Sequence, residues 1–375
     1  MTRLADLIQM KEAVKRSSAE KLEVSEIREA LADSHAKREP RMCGLTVHPA
    51  KGCSIGCKYC YISDMGFRGP PIPSRLSGIQ LVHAITSNPY FLPTKRGTLL
   101  AFGSITEPFL PRVRDKTVEF LEAIEEFLGN PVQLSTKMHL NAEESELLAQ
   151  INPEISVLVT ITTLSRADIL EPAAPKPEMR FLTIRNLSEN SLHASLFLRP
   201  IIPGITEEEG PKILEAAKDS GARGAVLGSL RVTPTILAEL ERAGFRNLSE
   251  LVSSNGLKRG RQVPIDASTV KSYLRKHSQR ISLRVFQAAC AANIDAHSLS
   301  CHACDYGPCG DELPEVDGSD IEEGLSLLGI ESEASVKGSK VYLRVRGGAK
   351  KEKIARILVG TYAKRKVLVE RVEKL

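Results

Sequence analysis

A chain of 375 residues, 42% hydrophobic and 26% charged, has the composition of an ordinary globular protein. It exceeds one average domain but holds one large α/β domain with smaller additions, and no apolar run is long enough to span a bilayer. The net charge of +5 conceals a sharp division. From Val336 to Leu375 there are thirteen Lys/Arg against three Glu, from Asp311 to Ser335 nine Asp/Glu and no Lys/Arg, and from Gly256 to Arg284 eight Lys/Arg with one Asp.

The start, "MTRLADLIQMKEAVKR", interrupts its apolar positions with charge every few residues. It reads as an amphipathic helix and not as a signal peptide, so a cytoplasmic location is expected. Residues 1–42 form a helical lead-in. From about residue 43 to 235, short β-branched runs alternate with amphipathic helices. The strand candidates are "GLTVHP", "TLLAFGS", "PVQLST", "ISVLVTITTL", "LHASLFLRPIIPG" and "RGAVLGSLRV". The helical candidates include "KTVEFLEAIEEFLG", "AEESELLAQI", "PEMRFLTIRNLSE" and "EEEGPKILEAAKDSG". Repeated strand–helix alternation predicts parallel strands with right-handed crossovers, hence an α/β fold, and chemistry at the C-terminal ends of the strands.

After Val232 the alternation is expected to stop. Residues 236–310 read as a helical extension, including "SLRVFQAACAAN", that carries a second group of cysteines. Residues 311–335 read as an acidic, solvated linker, and residues 336–375 as a small basic α+β appendage of strand–helix–strand type.

Eight cysteines are unlikely disulfide partners in a reducing compartment, and they are clustered: Cys53, Cys57 and Cys60; Cys290, Cys301, Cys304 and Cys309; and Cys43 alone, which reads as a small buried hydrophobe. The first group lies in "KGCSIGCKYCYI", directly after the first strand. A closed zinc site takes four ligands, and no fourth stands nearby. Thiolates also hold [4Fe–4S] cubanes, and three on a cubane leave one iron open. A zinc knuckle or three buried thiols are the competing readings. In the second group, four thiolates suit either structural zinc or an auxiliary [4Fe–4S] cluster, His297 or His302 could replace one, and free thiols remain an alternative.

"CSIGCKYC" resembles the CxxxCxxC hallmark of the radical SAM superfamily, with an aromatic residue, Tyr59, before the third cysteine. The resemblance implies a partial (βα)6 TIM-like barrel, a [4Fe–4S] cluster on Cys53, Cys57 and Cys60, and S-adenosylmethionine (SAM) on the open iron. SAM would be cleaved by one electron, from a flavodoxin or ferredoxin, to a 5′-deoxyadenosyl radical. Within the superfamily "CKYCYI", "LAFGSITEP", "LSTK", "TITTL…LEPAAPKPEMR" and "LRPIIPGIT" resemble segments of the spore photoproduct lyase-like group.

That likeness implies contacts to the methionyl amino group or the ribose of SAM from Ser104, Thr106 and Glu107 after strand two. It implies a SAM carboxylate partner in Lys137 after strand three, and ribose or substrate contacts from Thr162, Thr163 and Arg199. One departure limits it. Spore photoproduct lyase has a hydrogen-donating cysteine in the loop after strand two, and "GSITEPFLP" has none. "QAAC" at Cys290 faintly resembles the methyl-carrying cysteine segment of the radical SAM RNA adenine methylases.

The basic residues Arg344, Arg346, Lys350, Lys351, Lys364, Arg365 and Lys366 are the expected contacts to a nucleic acid, RNA ahead of DNA. Three functions follow: a radical SAM enzyme that modifies or repairs a nucleic acid, one that modifies a peptide or protein with an auxiliary cluster, or a non-catalytic Fe–S or zinc nucleic-acid-binding protein.

Overall fold

The computed structural model describes residues 2–41, 44–67, 69–245, 247–252, 262–286 and 313–372. All six expected strand segments form: β1 (Leu45–Thr46), β2 (Leu100–Phe102), β3 (Val132–Thr136), β4 (Ser156–Thr160), β5 (His193–Ile201) and β6 (Gly224–Ser229). A seventh, β7 (Arg284–Val285), pairs with β6, and the seven lie side by side in chain order, all parallel. This is a partial barrel in which every strand's C-terminal end faces the same way.

The helices are α1 (Leu4–Glu20), α2 (Val24–Ala32), α3 (Gly78–Ser87), α4 (Arg114–Phe127), α5 (Ala142–Ile151), the short α6 (Ala167–Leu170), α7 (Pro177–Glu189), α8 (Thr206–Asp219), α9 (Pro234–Arg242) and α10 (Ser268–Arg280). Local sequence sets several starts. Ser77 caps α3 by accepting from the Gln80 amide, Asn141 caps α5 through Glu144, and Pro177 opens α7 where a missing N–H costs nothing.

Register decides which residues face the helices. Leu45, Leu100, Leu134, Val157, Ala194 and Ala225 lie on the covered face and join the main core with Leu81, Phe120, Leu148, Ile184 and Leu214 from the helices. The opposite row runs Thr46–Ala101–Gln133–Ser156–His193 across five strands. Its side chains are small or polar, and among the described residues the inner apolar cluster comprises Leu158 and Val226 with Phe197 and Phe286. Closed barrels fill their interior with bulky branched residues. This inner face is built otherwise, with polar groups where a ligand would lie.

Two expectations are corrected. The alternation does not stop at Val232, because α10 leads into β7, and Arg284–Val285 of the segment "SLRV" are therefore strand and not helix. Two residues are too few to show a period in sequence; β7 is held by its place beside β6. The acidic stretch is not a solvated linker. Over its described residues it forms helix α11 (Gly318–Ser326) and strand β8 (Glu331–Lys337). Ile321, Leu325 and Ile330 are buried, Glu323, Glu331 and Glu333 are exposed, and Glu322 accepts from the Ala334 amide at 2.7 Å.

β8 pairs antiparallel with β9 (Lys340–Arg346), which pairs parallel with β10 (Lys366–Val372) after the crossover helix α12 (Ala349–Ala363). The core of this unit includes Val341, Leu343, Val345, Leu358 and Val359. Leu4, Leu7 and Ile8 of α1 belong to the same core. Gly324 of α11 meets Leu4 so closely that a Cβ there would lie 2.5 Å from Leu4 Cγ. Among the described residues, no helix is long and apolar enough to cross a membrane.

Candidate functional site

The cysteine loop leaves the end of β1 and is closed at its base. Ala50 pairs with Pro73 and Lys51 with Ile72 in a two-residue antiparallel ribbon. Inside the loop, Gly56 has φ +73°, which its lack of a Cβ permits. The loop is stitched to the segment after β4: the Lys58 amide donates to the Leu170 carbonyl at 2.9 Å and the Ala173 amide to the Ile55 carbonyl at 3.2 Å. The Tyr61 hydroxyl donates to the Ser104 carbonyl at 2.6 Å, and the Tyr59 hydroxyl donates to Glu171. Cys53, Cys57 and Cys60 are thereby held over the C-terminal ends of β2 and β4.

The three thiols share one electrostatic neighbourhood. Burial pushes the Cys57 thiol up to about 12, against the opposing pull of the Lys137 ammonium, with Glu171, Cys60 and Cys53 adding to the rise. Burial likewise raises Cys53, beside Glu107 and Cys60. Lys137 sits between these groups. Burial works against its charge, yet Cys57, Glu171 and Glu107 outweigh it and its pKa is raised. Its ammonium also lies 5.7 Å from the centroid of the Tyr59 ring. Among the described residues, no three His, Cys, Asp or Glu side chains are already gathered into a metal-ligand set.

Strand ends supply the remaining groups. Gly103, with φ +93°, ends β2 where a Cβ would lie 2.4 Å from the Ser135 carbonyl oxygen, so only glycine lets the two strand ends approach. Beyond it, the Ser104 hydroxyl is 3.4 Å from His48 Nδ1. The buried Thr106 hydroxyl has no hydrogen-bond partner. Glu107 spans the gap to β3, accepting from the Thr136 hydroxyl at 2.5 Å and the Lys137 amide at 2.9 Å. Burial raises its pKa, and these two bonds oppose the rise. A carboxylate has about four lone-pair sites, so a further donor can still be accepted.

Glu171 and Arg180 were not singled out by sequence reasoning, although both fall within the "LEPAAPKPEMR" block. Glu171 is buried and holds the Tyr59 hydroxyl, the Thr162 hydroxyl at 3.3 Å and the Arg180 guanidinium. Arg180 also donates to the Pro175 and Thr160 carbonyls, and its Nη2 is buried without a partner. Thr163 donates to Glu209 at 2.7 Å, and that carboxylate gathers the Leu164 and Ser165 amides as well. Thr162 and Thr163 thus already have partners within the chain.

The geometry brings together Cys53, Cys57, Cys60, Tyr59, Glu107, Lys137 and Thr162, with Ser104 and Thr106 on the adjoining strand end. Arg199 stands apart on β5, exposed, its guanidinium 5.8 Å from the centroid of the Phe197 ring. Cys43, Cys290, Cys301, Cys304, Cys309, His297 and His302 lie outside the described residues.

The basic set needs correction. Lys364 and Arg365 are buried, at 3% and 9% exposure, and cannot meet a polymer. Lys364 Nζ reaches the Gly97 carbonyl at 3.4 Å, and Arg365 donates to the Gly338, Pro314 and Ala363 carbonyls. Their cationic heads serve as caps for backbone oxygens. Arg344 pairs with Glu370 and Glu333, Arg346 with Glu331, and Lys351 Nζ donates to the Gly329 carbonyl. Lys350 and Lys366 are exposed.

No family model matches the chain. A curated relative, "Uncharacterized protein ORF301" of Acidianus two-tailed virus, is 25% identical over 173 residues, which are 43% of this chain and 56% of that protein. The match therefore spans little more than half of the relative's length. The fold is that of the radical SAM enzymes. A spore photoproduct lyase variant with bound AdoMet and dinucleoside spore photoproduct superposes with a TM-score of 0.55 at 12% identity, over 65% of this chain and 75% of that one. A spore photoproduct lyase complexed with the dinucleoside photoproduct gives 0.54 at 12% identity, over 64% and 74%.

Proposed function

We propose that this protein is a radical SAM enzyme that modifies or repairs a nucleic acid, RNA ahead of DNA. The observation that carries the reading is the cysteine loop itself: three thiols at the C-terminal strand ends, with the Lys137 ammonium among them and the unpartnered Thr106 hydroxyl close by in the chain fold. The donor chemistry fits a [4Fe–4S] cluster with one open iron and a SAM molecule beside it. When bound, these groups supply a 5′-deoxyadenosyl radical by one-electron cleavage of SAM, with a flavodoxin or ferredoxin as the source of the electron.

The chain's own residues have separable tasks. Cys53, Cys57 and Cys60 hold the cluster, and Lys137 both offsets thiolate charge and offers an ammonium to a carboxylate, a bond strengthened by desolvation. Thr106 and Ser104 offer hydroxyls from the end of β2. Tyr59, anchored by Glu171, closes one side against water. The polar inner row, with Gln133, Ser135, Ser156 and Ser195, lines the space in which a nucleotide would be received. Support for a nucleic-acid substrate comes from the exposed Lys350 and Lys366 and from the dinucleoside named in the superposed lyase complexes. Thymine-dimer reversal is not part of the proposal, because the loop after β2, "GSITEPFLP", holds no cysteine.

The test is anaerobic reconstitution with iron and sulfide, reduction by dithionite, and assay for 5′-deoxyadenosine. Product from the wild type and none from a Cys57→Ala variant is expected. An intact cluster that never cleaves SAM would end the reading.

A further inference from the structure

The outer face of the appendage sheet changes its charge pattern from one row to the next. Val341, Leu343 and Val345 turn into the core, so the alternate residues of the three strands stand outward. Register sets these in rows across β8, β9 and β10. In one row Arg344 lies between Glu333 and Glu370 and pairs with both, at 3.7 and 2.8 Å. Two residues on, Tyr342 lies between Ser335 and Leu368, and beyond it Lys340 lies between Lys337 and Lys366. All of these side chains are exposed. Among the described residues, no carboxylate forms an ion pair with Lys337, Lys340 or Lys366; Lys337 Nζ lies 5.8 Å from the centroid of the Tyr342 ring.

We propose that this face binds a single-stranded stretch of the nucleic-acid substrate, with the Lys337, Lys340 and Lys366 row on its phosphates and Tyr342 stacked on a base. The inference rests on the nucleic-acid reading above and deepens it by setting the substrate's class. The appendage sits towards the N-terminal ends of the barrel strands: its core includes Leu92, and Lys364 Nζ reaches the Gly97 carbonyl, both in the segment that leads into β2. The cysteine loop lies at the opposite, C-terminal ends. A nucleic acid that engages both is a polymer and not a free nucleotide.

Backbone register alone brings the three lysines together. Equal charges directly opposite one another on a sheet destabilise it. The Glu333, Arg344 and Glu370 row shows the same face cancelling its charge between neighbours, whereas the lysine row is left as three cations on adjacent strands. A polyanion laid across them returns that cost, and ammonium groups meet phosphate oxygens as point charges. The adjoining row decides between polyanions. Tyr342 and Leu368 offer apolar surface beside the cations. The splayed bases of a single strand stack on such an aromatic, while a duplex keeps its base faces covered.

A fluorescein-labelled single strand of about 12 nucleotides, as RNA and as DNA, tests the face on the full chain by anisotropy across a salt series. Lys340→Gln with Lys366→Gln should lower the log K against log[salt] slope by about 0.7 per lost contact. A urea melt of that variant should show stability unchanged or raised, since the change removes repulsion and no partner. Tyr342→Ala should weaken binding by about fivefold or more, and Tyr342→Phe should restore it, because the ring and not the hydroxyl stacks. Binding with an unchanged slope in the lysine variant and unchanged affinity in Tyr342→Ala overturns this face and leaves the nucleic-acid reading standing. An oligonucleotide that the wild type does not bind overturns both; binding to phosphatidylserine vesicles, lost in the lysine variant, would then assign the face to an anionic membrane.

Discussion

Arg180 and Glu171 form an ion pair in which both side chains are fully enclosed, at 0% exposure each, and the Tyr59 hydroxyl donates to the same carboxylate. The pair therefore connects α7, the segment after β4 and the cysteine loop. Removing one partner of such a pair strands the other charge, typically at a cost of about 3–5 kcal/mol. Glu171→Ala should lower the unfolding free energy measured in urea by that order, and Glu171→Met with Arg180→Met should cost less than either single change. A double variant less stable than both singles would contradict this account.

Thr106 makes the opposite prediction. Its hydroxyl is buried without a partner, so Thr106→Val should leave the cofactor-free protein as stable or slightly more so. If SAM takes that hydroxyl, its affinity for the reconstituted protein falls by about 1–2 kcal/mol, roughly five- to thirtyfold. Equal SAM affinities by equilibrium dialysis would exclude Thr106 from the contact.

On the proposed reading, Lys137 should separate cluster binding from SAM binding. Lys137→Met keeps all three thiols, so iron and sulfide content after reconstitution should match the wild type. SAM affinity should fall by about 2 kcal/mol or more, the worth of a charge-assisted bond in a sheltered site. Loss of the cluster together with SAM would make Lys137 a partner of the thiolates alone.

Acid should unfold the protein in a defined window. Burial, with Arg223 adding to it, lowers the pKa of His193 from 6.5 to about 4. Between those values the unfolded chain binds more protons than the native one, so stability rises with pH and is lost as pH falls from 6.5 towards 4. The full difference is about 3 kcal/mol. His35 and His48 are lowered too, mainly by burial, and act in the same direction. Urea midpoints from pH 4 to 8 should slope upward, and His193→Gln should flatten part of that slope. Identical slopes would remove His193 from the explanation.

How much of this was legible follows from what a linear sequence can show. Runs such as "ISVLVTITTL" announce buried parallel strands because both faces are covered, and "PEMRFLTIRNLSE" matches α7 because proline at its start sets the boundary. The thiol spacing put the candidate site at the first strand end before any fold was known. Glu171 and Arg180 were not legible as a pair, because nothing in their spacing says that α7 folds the arginine back under β4. Charge misled for a related reason. Glu331 and Glu333 read as part of a linker in sequence, yet they stand on a strand, exposed and facing Arg346 and Arg344 across the pairing. Lys364 and Arg365 look like a free basic patch until the turn after α12 buries them.

The short ribbon between Ala50–Lys51 and Ile72–Pro73 has a thermodynamic consequence. Bringing together the ends of a flexible loop of about twenty residues costs roughly 3 kcal/mol of chain entropy. The paired backbone of the ribbon offsets part of that cost within the chain itself. On the proposed reading, a cluster held by the three thiols would spend less of its affinity on ordering the backbone than in small metal-nucleated domains that unfold when stripped. Chelation should empty this loop and leave its closure intact, so that cluster loss and unfolding are two events, separable by the order in which colour and helicity disappear.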